Sequence, residues 1–305
     1  MRICFDIGGT SIKYGIAYEE KGAIFFQKKE ETPTDAKKFG GSGIEQKILH
    51  LTKKMLKEVE ADGICISTAG MVDSHTGEIL YANENIPDYT GRNLKTLIEK
   101  KFGMPCTVEN DVNCAALGET VYGAAKGSKS VVCLTVGTGI GGAVVLNGEV
   151  WHGNGGSAGE IGYMPLSGST LEDKASTTAM IRYIEQQTGK KLDGRQIFSQ
   201  AKTGDLVCRQ GIERMCEYLA QGIAAGICLL DPEAVVLGGG VMSQKEYIWP
   251  LLLNGLQKYV KPVVLNRCKI TFAELENCAG MAGAYEMFDK QMKEGLLTEN
   301  FWDGK

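Results

Sequence analysis

Histidine is scarce in this chain of 305 residues: His50, His75 and His152 are the only three, and no two share helical spacing. A nucleophile triad built on histidine, or a histidine-rich metal site, has little to be made from. No two of the ten cysteines are spaced C-x-x-C. Cys65, Cys133 and Cys228 each lie between apolar residues, as in Ile64-Cys65-Ile66, where cysteine serves as a small hydrophobe. Such use implies a reducing compartment, the cytoplasm, rather than a disulfide framework. Basic clusters are absent as well: lysine and arginine are scattered and the net charge is −4, so no nucleic-acid partner is expected. No apolar run approaches the roughly 20 residues that span a bilayer. Met1-Arg2-Ile3-Cys4-Phe5 enters a strand pattern at once, so neither membrane nor signal peptide is expected. The P-loop pattern G-x-x-x-x-G-K-[ST] is missing too.

What is present is an ordinary globular balance, 43% apolar and 23% charged, in a length that suggests two domains. Residues 3–7 and 12–18 read as strands around Gly8-Gly9, followed by a polar loop over 31–43. Ile44, Ile48, Leu51, Met55 and Val59 form one apolar stripe at helical spacing. A strand at 63–67, a long turn-rich loop to Arg92, a helix near 93–102 and a short strand at 106–108 complete this half. The second half repeats the opening: a helix over 112–124, a strand Ser130–Val136, a glycine turn, a strand Ala143–Leu146 and the turn Asn147-Gly148. Helices near 175–187, 206–230 and 245–260, strands at 234–237 and 263–272, a last helix at 278–293 and a loose tail over 296–305 follow. The echo of Phe5–Thr10 in Thr135–Gly139 points to two related α/β domains with a ligand cleft between them.

Gly137-x-Gly139-x-x-Gly142 fits the dinucleotide fingerprint, but that fingerprint needs a helix next. Ala143-Val144-Val145-Leu146, rich in β-branching, runs straight into Asn147-Gly148 and is too short for a helix, which excludes the Rossmann reading and a dehydrogenase with it. Two hairpins with Gly and Thr at their tips remain, Gly8-Gly9-Thr10 and Gly137-Thr138-Gly139. Their backbone N–H groups can converge on phosphate oxygens, with the Thr10 and Thr138 hydroxyls as further donors. Asp6, before the first tip, would repel phosphate unless a cation intervened, which suits it to bind the Mg²⁺ of ATP directly or through water. A third loop, Gly238-Gly239-Gly240, is compatible with close approach of an α-phosphate or adenosine, or with simple packing.

Asp111, between a short strand and the helix that follows, suits an N-cap and also a general base taking a proton from an attacking hydroxyl. Phosphoryl transfer needs an oriented hydroxyl, a base and neutralised phosphate charge, and Asn110 with Asp111 could supply the first two. Glu160 closes the Gly-rich loop 153–160, and Glu172 precedes a helix whose dipole it could meet.

Five motifs in this order resemble the ROK group of sugar kinases and sugar-responsive repressors. They are Asp6-Ile7-Gly8-Gly9-Thr10, Glu109-Asn110-Asp111-Val112-Asn113-Cys114, Gly137-Thr138-Gly139-Ile140-Gly141-Gly142, Gly159-Glu160-Ile161-Gly162 and Leu237-Gly238-Gly239-Gly240, with a closing Ala279-Gly280-x-x-Gly283-Ala284. The resemblance implies an α/β chain with the two-domain actin-like ATPase (ribonuclease H-like) fold, its mixed sheet duplicated around an interdomain cleft. The C-terminal helix would cross back, giving domains of 1–114 plus 284–305 and of 115–283. It further implies ATP·Mg²⁺-dependent transfer of the γ-phosphate to a sugar, usually to the 6-hydroxyl of a hexose. Asp111 would be the base, and Gly70, Asn85, Asn110, Asp111, Glu160 and Glu172 would bind sugar. Asp6, Gly8, Gly9, Thr10, Gly137, Thr138, Gly139, Gly239 and Gly240 would bind the nucleotide. A homodimer is implied as well.

One departure stands out. Family members with structural zinc carry His where this chain has Tyr163, followed by a Cys-rich segment; here Met164–Thr170 is short and has no cysteine. Zinc is therefore not expected. The sequence looks like the zinc-less members, some of them β-glucoside kinases, so a disaccharide such as cellobiose stands beside glucose as an acceptor. Other hexoses, N-acetylated hexosamines such as N-acetylmannosamine, and a non-catalytic sugar binder are alternatives. A repressor is not expected, because five residues before Asp6 leave no room for a helix-turn-helix.

Overall fold

A computed structural model describes residues 1–297, and the tail expected over 296–305 lies from residue 298 onward outside the described residues. The chain divides into two compact units. The first comprises Met1–Lys126, Gly153–Ser157 and the described residues from Asn277 on; the second comprises Gly127–His152 and Ala158–Glu276.

The first unit opens with β1 (Arg2–Ile7), β2 (Ser11–Glu20), β3 (Ala23–Pro33) and α1 (Ala36–Met55). Then come β4 (Gly63–Thr68), β5 (Met71–Asp73), β6 (Glu78–Tyr81), α2 (Leu94–Phe102), β7 (Cys106–Asn110) and α3 (Asp111–Val121). Its main sheet has the order β3-β2-β1-β4-β7, antiparallel through the first three strands and parallel from β1 to β7. The predicted stripe Ile44, Ile48, Leu51 and Met55 is buried in the core with Ile3, Phe5 and Ile7 of β1. The polar loop expected over 31–43 is instead the end of β3 and the start of α1, interrupted at Gly40 (φ 58°, ψ −160°). An edge strand needs no apolar alternation: its backbone bonds go to β2 while Lys28–Glu31 face solvent.

The second unit repeats the plan with β8 (Ser130–Val136), β9 (Ile140–Leu146) and β10 (Glu149–Val150). A small hairpin, β11 (Pro165–Leu166) and β12 (Ser169–Thr170), leads to α4 (Leu171–Ala175), α5 (Thr177–Thr188), α6 (Gly194–Lys202) and α7 (Leu206–Leu230). The unit finishes with β13 (Ala234–Gly238), α8 (Lys245–Tyr259), α9 (Pro262–Leu265) and β14 (Lys269–Phe272). Its sheet order β10-β9-β8-β13-β14 matches the first sheet strand for strand, antiparallel then parallel. Asn147 (φ 56°) and Gly148 (φ 80°) make the predicted hairpin turn between β9 and β10. The strands expected throughout 263–272 are split, because Pro262 fixes the φ of a first helical turn and starts α9. Helix α6, unforeseen from periodicity, begins with a capping box between Asp193 and Gln196. No helix among the described residues is long and apolar enough to cross a membrane.

The last helix, α10 (Ala279–Lys293), returns to the first unit and packs on α3. A Cβ at Gly283 would overlap the Cys114 backbone, and one at Gly118 would lie 2.7 Å from the Ala279 carbonyl oxygen. The helices approach so closely that only glycine fits there, which accounts for Gly283 in the closing motif. The domain edges expected at 114 and 284 fall inside α3 and α10, whereas the first compact unit runs past α3 to Lys126 and resumes at Asn277, just before α10.

Candidate active site

In the first unit the candidate residues gather at the carboxyl ends of the parallel strands, where open α/β sheets bind ligands. Strand register places Asp6 beside Ser67, Ser67 beside Glu109 and Thr68 beside Asn110. Ser67 Oγ donates to Asp6 Oδ1 at 2.8 Å, and Lys13 Nζ lies 3.5 Å from Asp6 Oδ2. Helix α10 reaches the same place, since a Cβ on Gly280 would lie 2.5 Å from Asp6 Oδ1.

The N-cap of α3 is Asn110, not Asp111 as expected; its Oδ1 accepts the Val112 and Asn113 N–H groups at 2.9 and 3.0 Å. Asp111 is the first helical residue, and its Oδ1 accepts from Val112 N (2.9 Å) and Asn110 Nδ2 (3.1 Å). Asn110 Nδ2 also donates to the Gly70 carbonyl at 2.8 Å, which ties three predicted sugar residues together. Gly70 has φ 105°, and a Cβ there would lie 2.8 Å from the Tyr81 carbonyl oxygen, so glycine is required on both counts. Beneath them Glu109 is buried and accepts from Asn110 N and Asn113 Nδ2 at 2.7 and 2.9 Å, locking the helix start. Burial first, and then the charges of Glu109, Asp6 and Asp111, push the buried Cys114 thiol well above its usual range. Asn85 is exposed in the loop after β6, with its N–H donated to Asn83 Oδ1.

The tip of the first hairpin is exposed at Gly9 and Thr10. The Gly8 N–H closes the turn on Ser11 O (2.9 Å), so it is not one of the free donors foreseen from the sequence. Those of Gly9 and Thr10 have no partner among the described residues. The second hairpin, wholly in the second unit, has the same pattern. Gly137 N–H bonds to Gly139 O at 2.9 Å, and the N–H groups of Thr138 and Gly139 have no partner among the described residues. Successive free N–H groups of this kind form an anion-binding concavity.

Three bonds hold that second tip: Thr177 N to Gly137 O (2.9 Å), Thr178 Oγ1 to Thr138 O (2.7 Å) and Ile140 N to Glu172 Oε2 (2.8 Å). Beside it opens a cavity of about 510 Å³, lined by Gly137, Thr138 and Gly240 together with Thr177, Gly194, Arg195, Phe198, Ser243 and Gln244. The last six were not foreseen. The one available signal was the cap residue Asp193, which sets the α6 N-terminus at the cavity. Gly239 does not line it; with φ 92° and no room for a Cβ against the Val136 backbone, it serves the junction of β13 with β8.

Glu160 and Glu172 are brought together. Glu160 is followed by a single 3-10 turn, Ile161–Tyr163, and Glu172 lies inside α4 rather than before it. Burial, and then the Glu172 charge, raises the pKa of Glu160 above the ordinary carboxylate range. Tyr163 is exposed, and Met164–Thr170 forms the tight β11–β12 hairpin.

Among the described residues no three of His, Cys, Asp and Glu gather as a self-sufficient metal site. Asp6 fits a magnesium ion that takes its remaining ligands from phosphates and water, since such sites use one or two carboxylates.

Comparison with known proteins places this geometry. The chain is 45% identical over 292 residues to an uncharacterized protein of Clostridium perfringens, covering 95% of this chain and 98% of that one. It is 31% identical over 295 residues to a β-glucoside kinase of Listeria monocytogenes, with coverages of 93% and 96%. Among solved structures, a ROK hexokinase from Thermus thermophilus superposes with a TM-score of 0.83 at 30% identity, covering 96% of this chain and 99% of that one. A ROK family glucokinase from Streptomyces griseus, in complex with glucose and AMPPNP, gives a TM-score of 0.80 at 27% identity, covering 94% and 98%. The fold is accordingly that of the ROK kinases, the actin-like ATPase fold. The ROK family model matches residues 2–291, and the chain belongs to the ROK family.

Proposed function

We propose that this chain is an ATP-dependent sugar kinase that transfers the γ-phosphate to the 6-hydroxyl of glucose or of a β-glucoside such as cellobiose. The observation that carries the reading is the paired pattern of the two hairpin tips. Each closes its turn with the first glycine and leaves the next two N–H groups, Gly9 and Thr10 or Thr138 and Gly139, open to an anion. Two nests in one chain suit the two or more phosphates of a nucleotide.

Asp111 is the base in this reading. Its carboxylate is fixed by Val112 N and Asn110 Nδ2, and it takes the proton of the sugar hydroxyl as that oxygen attacks the γ-phosphorus. Asn110 and Gly70, joined by their hydrogen bond, hold the sugar beside it, with Asn85 as a further candidate in the same unit; Glu160 and Glu172 are the sugar-binding candidates of the second unit. The cavity at Gly137, Thr138 and Gly240 takes the nucleoside, and Arg195 supplies a cation there. Asp6 would hold Mg²⁺, which supplies positive charge to the phosphates. No zinc is part of this reading, since Met164–Thr170 contains neither cysteine nor histidine. All ten cysteines are free thiols, in keeping with action in the cytoplasm.

The relatives support a kinase of this class: one is named a β-glucoside kinase, and another was solved with glucose and AMPPNP. A coupled ADP-release assay with ATP·Mg²⁺ tests it on glucose, mannose, fructose, N-acetylmannosamine, N-acetylglucosamine, cellobiose and other β-glucosides. Release with glucose or a β-glucoside is the expected result. Release only with another sugar would replace the acceptor, and silence with folded protein across the panel would overturn the kinase in favour of a sugar binder.

A further inference from the structure

Away from the nucleotide cavity, the second unit has a smaller pocket of about 190 Å³ among α4, α5 and α7. Lys174 of α4, Arg182 of α5 and Arg214 of α7 line it. None of the three makes an ion pair or hydrogen bond with a described residue, although the surface has many carboxylates to offer. Arg214 is held instead by stacking, its guanidinium carbon 5.4 Å from the Tyr183 ring centre and 5.0 Å from that of Tyr218. Stacking fixes the plane of a guanidinium and leaves its N–H edge free for an oxygen ligand.

The one acid on the pocket wall is Asp173. Its Oδ2 is already engaged by the hydroxyls of Ser169 and Thr170, at 2.7 and 2.8 Å. Three cations against one carboxylate leave two positive charges unbalanced in a concave volume. The hollow itself comes from Gly211 on α7. A Cβ there would lie 2.9 Å from Ile184 Cδ1, so α5 and α7 approach closely at that point while their long cationic side chains stand around it.

We propose that this pocket binds a compact dianion, inorganic phosphate or a phosphate monoester. The Arg182 and Arg214 guanidiniums supply paired N–H donors to its oxygens, Lys174 adds a point charge, and Gln186 offers a neutral donor at the rim. The inference is independent of the kinase reading, since it uses no residue of the hairpins, of Asp111 or of the larger cavity.

Titration calorimetry on the whole chain, at constant ionic strength in chloride, tests it with inorganic phosphate and separately with methyl phosphate, a monoester that carries no sugar. The expected result is saturable one-to-one binding, weakened at least about tenfold when Arg182→Gln and Arg214→Gln are combined, the loss of two charge-assisted contacts. Arg214→Lys, which keeps the charge but not the planar stack, should fall between. Gly137→Ala, in the nucleotide cavity, should leave this binding unchanged and so separates the two anion sites. Tighter binding of methyl phosphate would identify a monoester as the ligand, and equal or tighter binding of phosphate the free ion. The proposal is overturned if neither probe saturates, if the double variant binds as well as the parent, or if Gly137→Ala removes the binding. Both arginines are exposed, so the variants should melt with the parent protein.

Discussion

Glu172 accepts the backbone N–H of Ile140 at 2.8 Å, so a carboxylate foreseen as a sugar ligand also clasps the second glycine hairpin. Ile140 is only 4% exposed, and removing the acceptor strands a buried donor. Glu172→Ala should therefore cost about 1–3 kcal/mol of stability, and Glu172→Gln, which retains an acceptor, clearly less. Gly139→Ala should act like Glu172→Ala, because its methyl would overlap the Glu172 carboxylate. Urea unfolding of the three variants checks this; an unchanged midpoint for Glu172→Ala would show the clasp contributes nothing.

Asp111→Asn keeps the shape of the side chain and an oxygen for the Val112 N–H. Unfolding should be unaffected while kcat falls about 10²- to 10⁴-fold, the range expected when a general base is lost. Steady-state kinetics with the best sugar of the panel decides it, and near-normal turnover would remove Asp111 from the base's role.

Two glycines at or near the cavity proposed for the nucleoside should respond in opposite ways. Gly137 has open space where a Cβ would go, so Gly137→Ala should fold normally and raise KM for ATP by crowding the cavity. Gly239 has φ 92° and no room against the Val136 backbone, so Gly239→Ala should lower the melting temperature first. Melting curves beside ATP saturation curves separate the effects; a normal melt for Gly239→Ala would contradict the packing.

Glu160 titrates above the ordinary glutamate range because its charged form is poorly solvated and repelled by Glu172. A carboxyl whose pKa is raised by folding favours the native state most when protonated. Its contribution is complete below the ordinary glutamate pKa and is lost as pH rises through the higher native value. Glu160→Gln should accordingly raise the melting temperature at neutral pH, with the gain shrinking to nothing in acid. Melts from pH 3 to 8 would show it, and a gain that persisted unchanged in acid would rule this origin out.

Much of the site was readable because its residue types are constrained by backbone geometry. The repeated strand–glycine–strand pattern marked both hairpins, and failure of the dinucleotide fingerprint followed from the β-branched Val144-Val145 and the early turn at Asn147-Gly148. The stripe from Ile44 to Met55 marked α1, but not its start at Ala36, where polar residues face solvent and give no periodicity. Arg195, Ser243 and Gln244 were invisible in sequence, since exposed polar residues at helix starts look the same whether or not a cavity lies beside them.

The amino-acid sequence by itself determined the family, the duplicated α/β plan and the glycine tips, because glycine requirements and hydrophobic period are local properties written residue by residue. Only the tertiary structure decided that Asn110 rather than Asp111 caps α3. It also decided that Gly239 serves packing and that Glu172 holds the hairpin at Ile140. Each depends on which of several nearby donors and acceptors meet once strands and helices separated by tens of residues are packed, and that choice is made by three-dimensional proximity rather than by neighbours along the chain.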